Sequence, residues 1–469
     1  MIEASPSTQL GTGKTSTQQL AEFVASFPTE DVPGEVIEHA KLCLLDTIGC
    51  GLFGSTLPQA RILFDVLAAT TGRGPAAVLG HDRPLSAPDA ALANGTAIHA
   101  FELDDLHPRS IVHPGSVVTS AALAAASLRP ETTGLEFLIA TVIGYEVSAR
   151  VGNTVGAAHL LAGWHPTGTH GTLGAAAAAG RILGLTPDQQ SDALGIAGSQ
   201  SAGLMAAQYE SMVKRFHAGR AAQSGVYSAL LGREGYRGIR DLFEAEYGGY
   251  LSTFSPRSDA SRLLVGIGER WETLAVGFKP YSTNGSCHPS IDCLRDMYHQ
   301  QGVRREDVAE VEIQVSTATA KHVGWPYVPD TVTTAQMNLP FITAVVLTDG
   351  DAFVDQFTDE RIMDPTLAEF TSRVHVVADP AIDALGDGAR HKTRLTVEML
   401  DGRRFNASRD HAHGSACDPM TTDEVRVKFA RLVGHLLAQD ATARLEHVIA
   451  TLDHAPQLDD LTELVTVAA

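Results

Sequence analysis

The chain is poor in cysteine, in positive charge and in long apolar runs, and each shortage removes a class of protein. Its five cysteines (Cys43, Cys50, Cys287, Cys293, Cys417) lie scattered through 469 residues without CxxC spacing. Neither a disulfide framework nor a structural zinc site is expected, and the thiols read as reduced. Lys and Arg number 35 against 55 Asp and Glu, a formal charge of −20, which repels nucleic-acid phosphates and anionic membranes at long range. No nucleic-acid partner is expected. An anionic substrate stays open, because a pocket can gather Lys, Arg and His against the sign of the whole surface. The longest stretch free of Asp, Glu, Lys and Arg, Val151 to Gly180, holds three histidines, a proline and seven glycines. That is the wrong composition for a membrane span, so no membrane association is expected. Met1 to Thr17 is Ser/Thr-rich without an apolar core and reads as a flexible N-terminal tail rather than a secretion signal. The expected location is cytoplasmic.

What is present is ordinary globular material, 44% hydrophobic and 19% charged, enough for a sizeable core and long enough for two or three domains. From about Gln18 to Leu264, apolar residues recur at three and four, the helical period. Leu135–Val151, Gly174–Gly180 and Ala193–Ala207 are candidate helices, the last two built mostly from small residues that suit close packing, and Thr186-Pro187-Asp188 is a helix start. After about Glu269 the period changes to two. Val308–Ser316 and Arg373–Val377 read as strands, while Thr393–Leu400 and Arg403–Ala407 flank the hairpin turn Asp401-Gly402. Beyond Pro419, Thr421-Thr422-Asp423-Glu424 opens an amphipathic run, Val425–Leu437.

Several familiar motifs fail on context. Gly11-Thr12-Gly13-Lys14-Thr15 has Thr8 where a phosphate-binding loop needs its first glycine, and no strand before it. Gly49, Gly51 and Gly54 have dinucleotide-fingerprint spacing but sit inside a helical segment. No GxSxG surrounds any serine, so an α/β-hydrolase has no support.

Four clusters carry chemistry. From His99 to His113, three carboxylates (Glu102, Asp104, Asp105) and three imidazoles (His99, His107, His113) fall within fifteen residues. Helical spacing places His99, Glu102 and His107 on related faces, and the His-Pro pairs interrupt regular structure where catalytic groups commonly sit. The same stretch also reads as a helix end capped by Asp104 and Asp105 with surface histidines, or as an Asp/His metal site. The metal reading ranks last, for want of HxxxH or HExxH spacing. Gly163–Gly174 joins a polar loop containing His165 and His170 to an Ala-rich helix whose first NH groups can hold an anion, although a plain turn would use glycine too. Lys214-Arg215-Phe216-His217-Ala218-Gly219-Arg220 offers a carboxylate site or a solvated basic loop. Phe278–Pro289 supplies one more His-Pro pair, His288-Pro289.

Taken in order, these motifs resemble the MmgE/PrpD family. The residues carrying the likeness are LLDTIGCGLFGS (Leu44–Ser55), NGTAIHAFELDD with the following HPG (Asn94–Gly115), HPTGTHGTLGAAAAAG (His165–Gly180), KRFHAGRAAQSG (Lys214–Gly225) and KPYSTNGSCHPSID (Lys279–Asp292). The resemblance implies a mainly α protein, with a large all-helical domain built from both chain ends and a smaller α+β domain. The boundaries expected are a tail over 1–17, a helical domain over 18–268 and 410–469, and an α+β domain over 269–409. It implies an active site at the domain junction, a homodimer, no cofactor and no metal. Decarboxylases of the family place essential histidines where this chain has His113, His165 and His288, and an essential lysine where it has Lys214. They carry aspartate where this chain has Glu102 and threonine where it has Leu106, which weakens a decarboxylase reading specifically.

The family's reactions form or quench a carbanion-like centre beside a carboxylate, so cations must stabilise that charge. On this reading Lys214, with Arg215 or Arg220, holds carboxylates of a small di- or tricarboxylate, while His113 and His165 move protons, Asp104 orients His113 and His288 reaches in from the second domain. Glu102, Asp105, His107 and Tyr281 complete the expected substrate contacts. A hydro-lyase acting on a citrate-like hydroxy acid is the first expectation, an epimerase of an iminodisuccinate-like compound or a cis-aconitate-type decarboxylase the alternative. A non-catalytic scaffold that keeps the fold is a further one.

Overall fold

Several helix starts in this chain are set by threonine caps. Thr15, Thr133, Thr186 and Thr421 each accept a hydrogen bond from the third helical NH while a Gln or Glu at that position reaches back to the cap NH, which satisfies two otherwise orphaned donors. The computed structural model describes residues 13–209, 212–434 and 436–466. The first helices are α1 (Ser16–Ser26), α2 (Gly34–Ser55), α3 (Pro58–Thr70), α4 (Ala87–Ile98), α5 (Ser120–Ala126), α6 (Gly134–Leu161), α7 (Pro166–Ile182), α8 (Pro187–Gln200) and α9 (Val213–Arg233). The expected tail therefore ends early, since Ser16 and Thr17 already belong to α1. Its residues 1–12, including Gly11 and Thr12 of the rejected phosphate loop, lie outside the described residues.

Small residues set the helical packing. The alanines Ala175–Ala179 of α7 are fully buried, and α7 lies between α6 and α9. Where α4 meets α9, a Cβ on Gly219 would stand 2.1 Å from the Leu92 carbonyl oxygen, and one on Gly95 would stand 2.8 Å from the Gly219 Cα. Only glycine permits that approach, and it brings the first turn of α9 beside the end of α4. The helical body is not purely helical, because β1 (Ala76–Val78) and β2 (His81–Leu85) form an antiparallel pair within it. The small-residue run Ala193–Ala207 also stops being helical at Gln200, where the chain turns extended at Ser201.

The second region carries a four-stranded sheet in the order β4-β3-β5-β6, with β3 (Val308–Val315), β4 (Val374–Ala378), β5 (Thr393–Met399) and β6 (Arg404–Arg409). β3 runs parallel to β4 and antiparallel to β5. One face is apolar: Val308, Val311, Ile313 and Val315 of β3 and Leu395 and Val397 of β5 are buried, as the period of two requires. The helix His288–Gln301 packs on β5 and β6. The amphipathic run Val425–Leu437 forms the helix Thr422–Val433, which stops four residues before Leu437, and a further helix, Gln439–Ala450, follows it. Thr422–Val433 lies on α2, with Phe429 packed so tightly that a Cβ on Gly49 would come within 2.9 Å of its ring. No described helix is long and apolar enough to cross a membrane.

Candidate active site

The site is built on the turn that follows α4. The helix ends at Ile98, and the chain passes through a tight turn to Glu102, which adopts left-handed dihedrals (φ 55°, ψ 33°). A non-glycine residue there costs about 1–3 kcal/mol unless its surroundings enforce it. They do so at every step. The five consecutive carbonyls of residues 99–103 each accept from a different side chain: Arg215 at 3.3 Å, Gln59 at 2.9 Å, Gln336 at 2.9 Å, Lys279 at 3.2 Å and Lys428 at 2.6 Å. Three of these donors are cationic, which suits the negative end of a helix. His99 and Glu102 thus meet through a clamped turn and not through shared helical spacing as the sequence implied.

Glu102 is fully buried and pairs with Lys214, with Arg215 at 2.7 Å and with Lys279 at 3.0 Å. Burial alone would raise its carboxyl, but Lys214, Lys279 and Arg215 outweigh burial and hold it well below the usual range. Three cationic side chains around one carboxylate leave a formal surplus of two positive charges in a dry environment. Burial brings the Lys214 ammonium down to about 8 against the pull of Glu102.

Beside this knot stand the imidazoles. Asp104 accepts from His99 Nδ1 at 2.8 Å, and its other oxygen lies 3.3 Å from His113 Nδ1. Burial would raise Asp104, yet His113 and His99 keep it well below the usual range. Burial pushes His99 down to about 3 despite Asp104, so it is a neutral ring donating through Nδ1, and its Nε2 is buried without a protein partner. His165, the residue that caps α7, has its ring centroid 5.5 Å from that of His99. Burial and then Lys214 hold it well below the ordinary value. His288 donates to the Thr283 carbonyl at 3.3 Å and is pushed to about 3 by burial and then Lys279. It opens with Lys279 onto a cavity of about 540 Å³, whose wall also includes Arg109, Arg262, Arg270 and Arg390.

His113, His165, Lys214 and His288 are all buried, and Glu102 and Arg215 lie against Lys214. Four other expectations need correction. His107 donates from Nε2 to Glu272 at 3.1 Å and accepts from the Ser110 NH at Nδ1, so no ring nitrogen is left for a substrate. Asp105 accepts from the Gly115 NH at 2.9 Å and from the Tyr145 hydroxyl at 2.8 Å. Burial, with Asp46 and Asp104 nearby, pushes its carboxyl well up, and it anchors the π-helical turn Gly115–Thr119 that follows His113. Tyr281 gives its hydroxyl to Asp292 at 2.6 Å and lays its ring against His288. Arg220 is exposed, bonds Gln223 and faces a different cavity.

Lys279, Gln336 and Lys428 had no role in the sequence reading. Lys428 reaches from the C-terminal helix to Asp46 at 2.5 Å as well as to the Leu103 carbonyl, and no local pattern announces so distant a contact. Lys279 stood inside a quoted motif, and its neighbour His288 was the available signal. The donor atoms of His99, Asp104 and His113 lie within 4.8 Å of one another, so among the described residues these three could hold a cation.

Fold and cluster together define an acid/base enzyme with a cationic, enclosed site. The chain belongs to the MmgE/PrpD family: the family's N-terminal domain matches residues 18–262 and its C-terminal domain residues 281–454. It is 32% identical to a cis-aconitate decarboxylase-like protein of Aspergillus oryzae, over 96% of this chain and 97% of that protein. It is 29% identical to a cis-aconitate decarboxylase of Aspergillus terreus, over 96% and 95%. A mitochondrial 2-methylcitrate dehydratase of Yarrowia lipolytica is 22% identical over 89% of this chain and 79% of that protein.

Proposed function

We propose that the protein is a lyase that removes CO2 from a cis-aconitate-like unsaturated tricarboxylate. The carrying observation is the surplus of cationic side chains, Lys214, Arg215 and Lys279, around the single buried carboxylate of Glu102. A tricarboxylate needs two of its charges held while the third leaves as neutral CO2, and an enclosed, low-dielectric pocket favours loss of the unpaired carboxylate. Similarity to decarboxylases over nearly the whole chain supports this reading over the hydro-lyase first expected.

In this mechanism Lys214 and Lys279 hold two substrate carboxylates. As the third carboxylate departs, the electron pair of its C–C bond forms a new C=C bond, and the former alkene carbon beside a held carboxylate takes a proton. His113 supplies it. Asp104 fixes the ring of His113 through Nδ1, leaving Nε2 toward the substrate. His288 closes the pocket from the α+β side. Two copies of the chain are expected to pair, which light scattering would register as about twice 49.7 kDa.

Dehydration of a citrate-like hydroxy acid is the second reading, favoured by Glu102 and Leu106, which depart from the aspartate and threonine of the family's decarboxylases. Assay with 13C-labelled cis-aconitate, citrate and 2-methylcitrate separates the two. Labelled CO2 from cis-aconitate alone supports decarboxylation. Water loss from either hydroxy acid without CO2 replaces it with the dehydratase, and silence from all three removes both.

A further inference from the structure

Loss of CO2 from a tricarboxylate trianion leaves a dicarboxylate dianion only if one proton is taken up, because the electron pair of the broken C–C bond becomes the new C=C bond and that of the old C=C bond ends in a new C–H bond. Every turnover therefore draws a proton from water into a buried site. We propose that His217 carries that proton inward, from a solvent-facing cavity on α9 to His165, so that protons and substrate enter through different openings. The inference rests on the decarboxylase reading above.

His217 sits three residues beyond Lys214 on α9, and its Nδ1 lies 3.1 Å from Nδ1 of His165. One of these nitrogens carries the hydrogen and the other accepts it. The pair is held from its backbone side. The His165 NH donates to the Gly203 carbonyl at 2.9 Å, and Gly203 has φ +133°, so that a Cβ there would stand 3.2 Å from both His165 Cβ and His217 Nδ1. Glycine is needed for that conformation and that contact.

Outward, His217 lines a cavity of about 550 Å³ with Gln200, Leu204, Phe216 and Arg220, of which Leu204 and Arg220 are exposed. None of its lining residues is shared with the cavity at Lys279 and His288. Inward, the ring of His165 lies against that of His99, centroids 5.5 Å apart and without a hydrogen bond between them, and His99 in turn bonds Asp104, whose other oxygen lies 3.3 Å from His113 Nδ1. Burial and then Lys214 hold His217 down at about 4. Lys214, one turn earlier on the same helix, disfavours a resident charge on His217. Such a ring passes a proton by accepting at one nitrogen while releasing at the other, and does not store it.

The test uses His217→Phe and His217→Gln in the full-length protein, with 13CO2 release from cis-aconitate as the assay. Both variants should lower kcat by about tenfold or more with KM little changed, enlarge the solvent deuterium isotope effect, and recover several-fold on adding imidazole. A kcat and isotope effect within about twofold of the parent in either folded variant overturns the relay. So does a loss that imidazole leaves untouched. If the parent releases no CO2, the functional reading falls separately, and the relay is judged in the resting protein. In [15N]histidine-labelled samples, exchange of the His165–His217 imidazole hydrogen with water should slow in His217→Gln, and an unchanged rate removes the relay.

Discussion

Four residues separate His107-Pro108 from His113-Pro114 on one loop, and both imidazoles are buried. Both ring nitrogens of His107 are engaged by other protein groups. Its Nε2 meets Glu272, itself gripped by Arg109 and Arg270, and its Nδ1 meets the Ser110 NH. This histidine is a strut between the loop and residues 270–272. The His113 ring lies edge-on to His99, and its Nδ1 faces Asp104, which it shares with His99. The difference shows that a His-Pro pair says where a chain bends, while the partner of each nitrogen decides whether the ring supports structure or moves protons.

Substitution should break this contrast cleanly. His113→Asn is expected to lower kcat/KM by about 10³, roughly 4 kcal/mol, with a thermal midpoint within about 2 °C of the parent. His107→Asn should do the reverse, losing about 1–3 kcal/mol of stability by denaturant unfolding and less than tenfold in activity. Equal activity losses in both would erase the distinction. Lys428→Met probes the clamp, since it strands Asp46 in the core, and about 3–5 kcal/mol of stability should go with it.

Lys214 sharpens the comparison through pH. Its ammonium titrates at about 8, and the protonated form is the one that holds a carboxylate, so kcat/KM should fall as pH rises through about 8. In Lys214→Arg that limb should move upward, because a guanidinium stays charged. Lys214→Ala should cost about two orders of magnitude, roughly 2.7 kcal/mol, at all pH values. A limb at the same place in Lys214→Arg assigns it to another group. Arg220→Ala is expected to change kcat/KM least, by about twofold or less, and a larger loss would return Arg220 to the site.

Much of this architecture was legible because it is local. The threonine caps at Thr186 and Thr421, the alternation of β3 and the Asp401-Gly402 turn depend on residues a few positions apart, and each formed close to where it was read. The β1–β2 pair escaped notice because its strands are three and five residues long, too short for a period to show. In the site, His113, His165, Lys214 and His288 could be named from motifs. Their relation to Glu102 could not, since it depends on a left-handed residue held by donors from five separate segments. Lys428 lies 325 positions from the carbonyl it binds, beyond any spacing argument. Arg220 and Tyr281 were misjudged for a related reason. A charged or phenolic group in a motif looks free until its neighbours Gln223 and Asp292 are seen.

The central claim is that Lys214 and Lys279, gathered at Glu102, hold the carboxylates of a tricarboxylate substrate between His113 and His288. A crystal structure with tricarballylate, a saturated tricarboxylate that cannot react by this route, tests it directly. The account predicts one carboxylate on Lys214 and another on Lys279, each at about 2.7–2.9 Å, with a carbon chain facing His113. Tricarballylate bound elsewhere, with the Glu102 knot intact and empty of ligand, would contradict it.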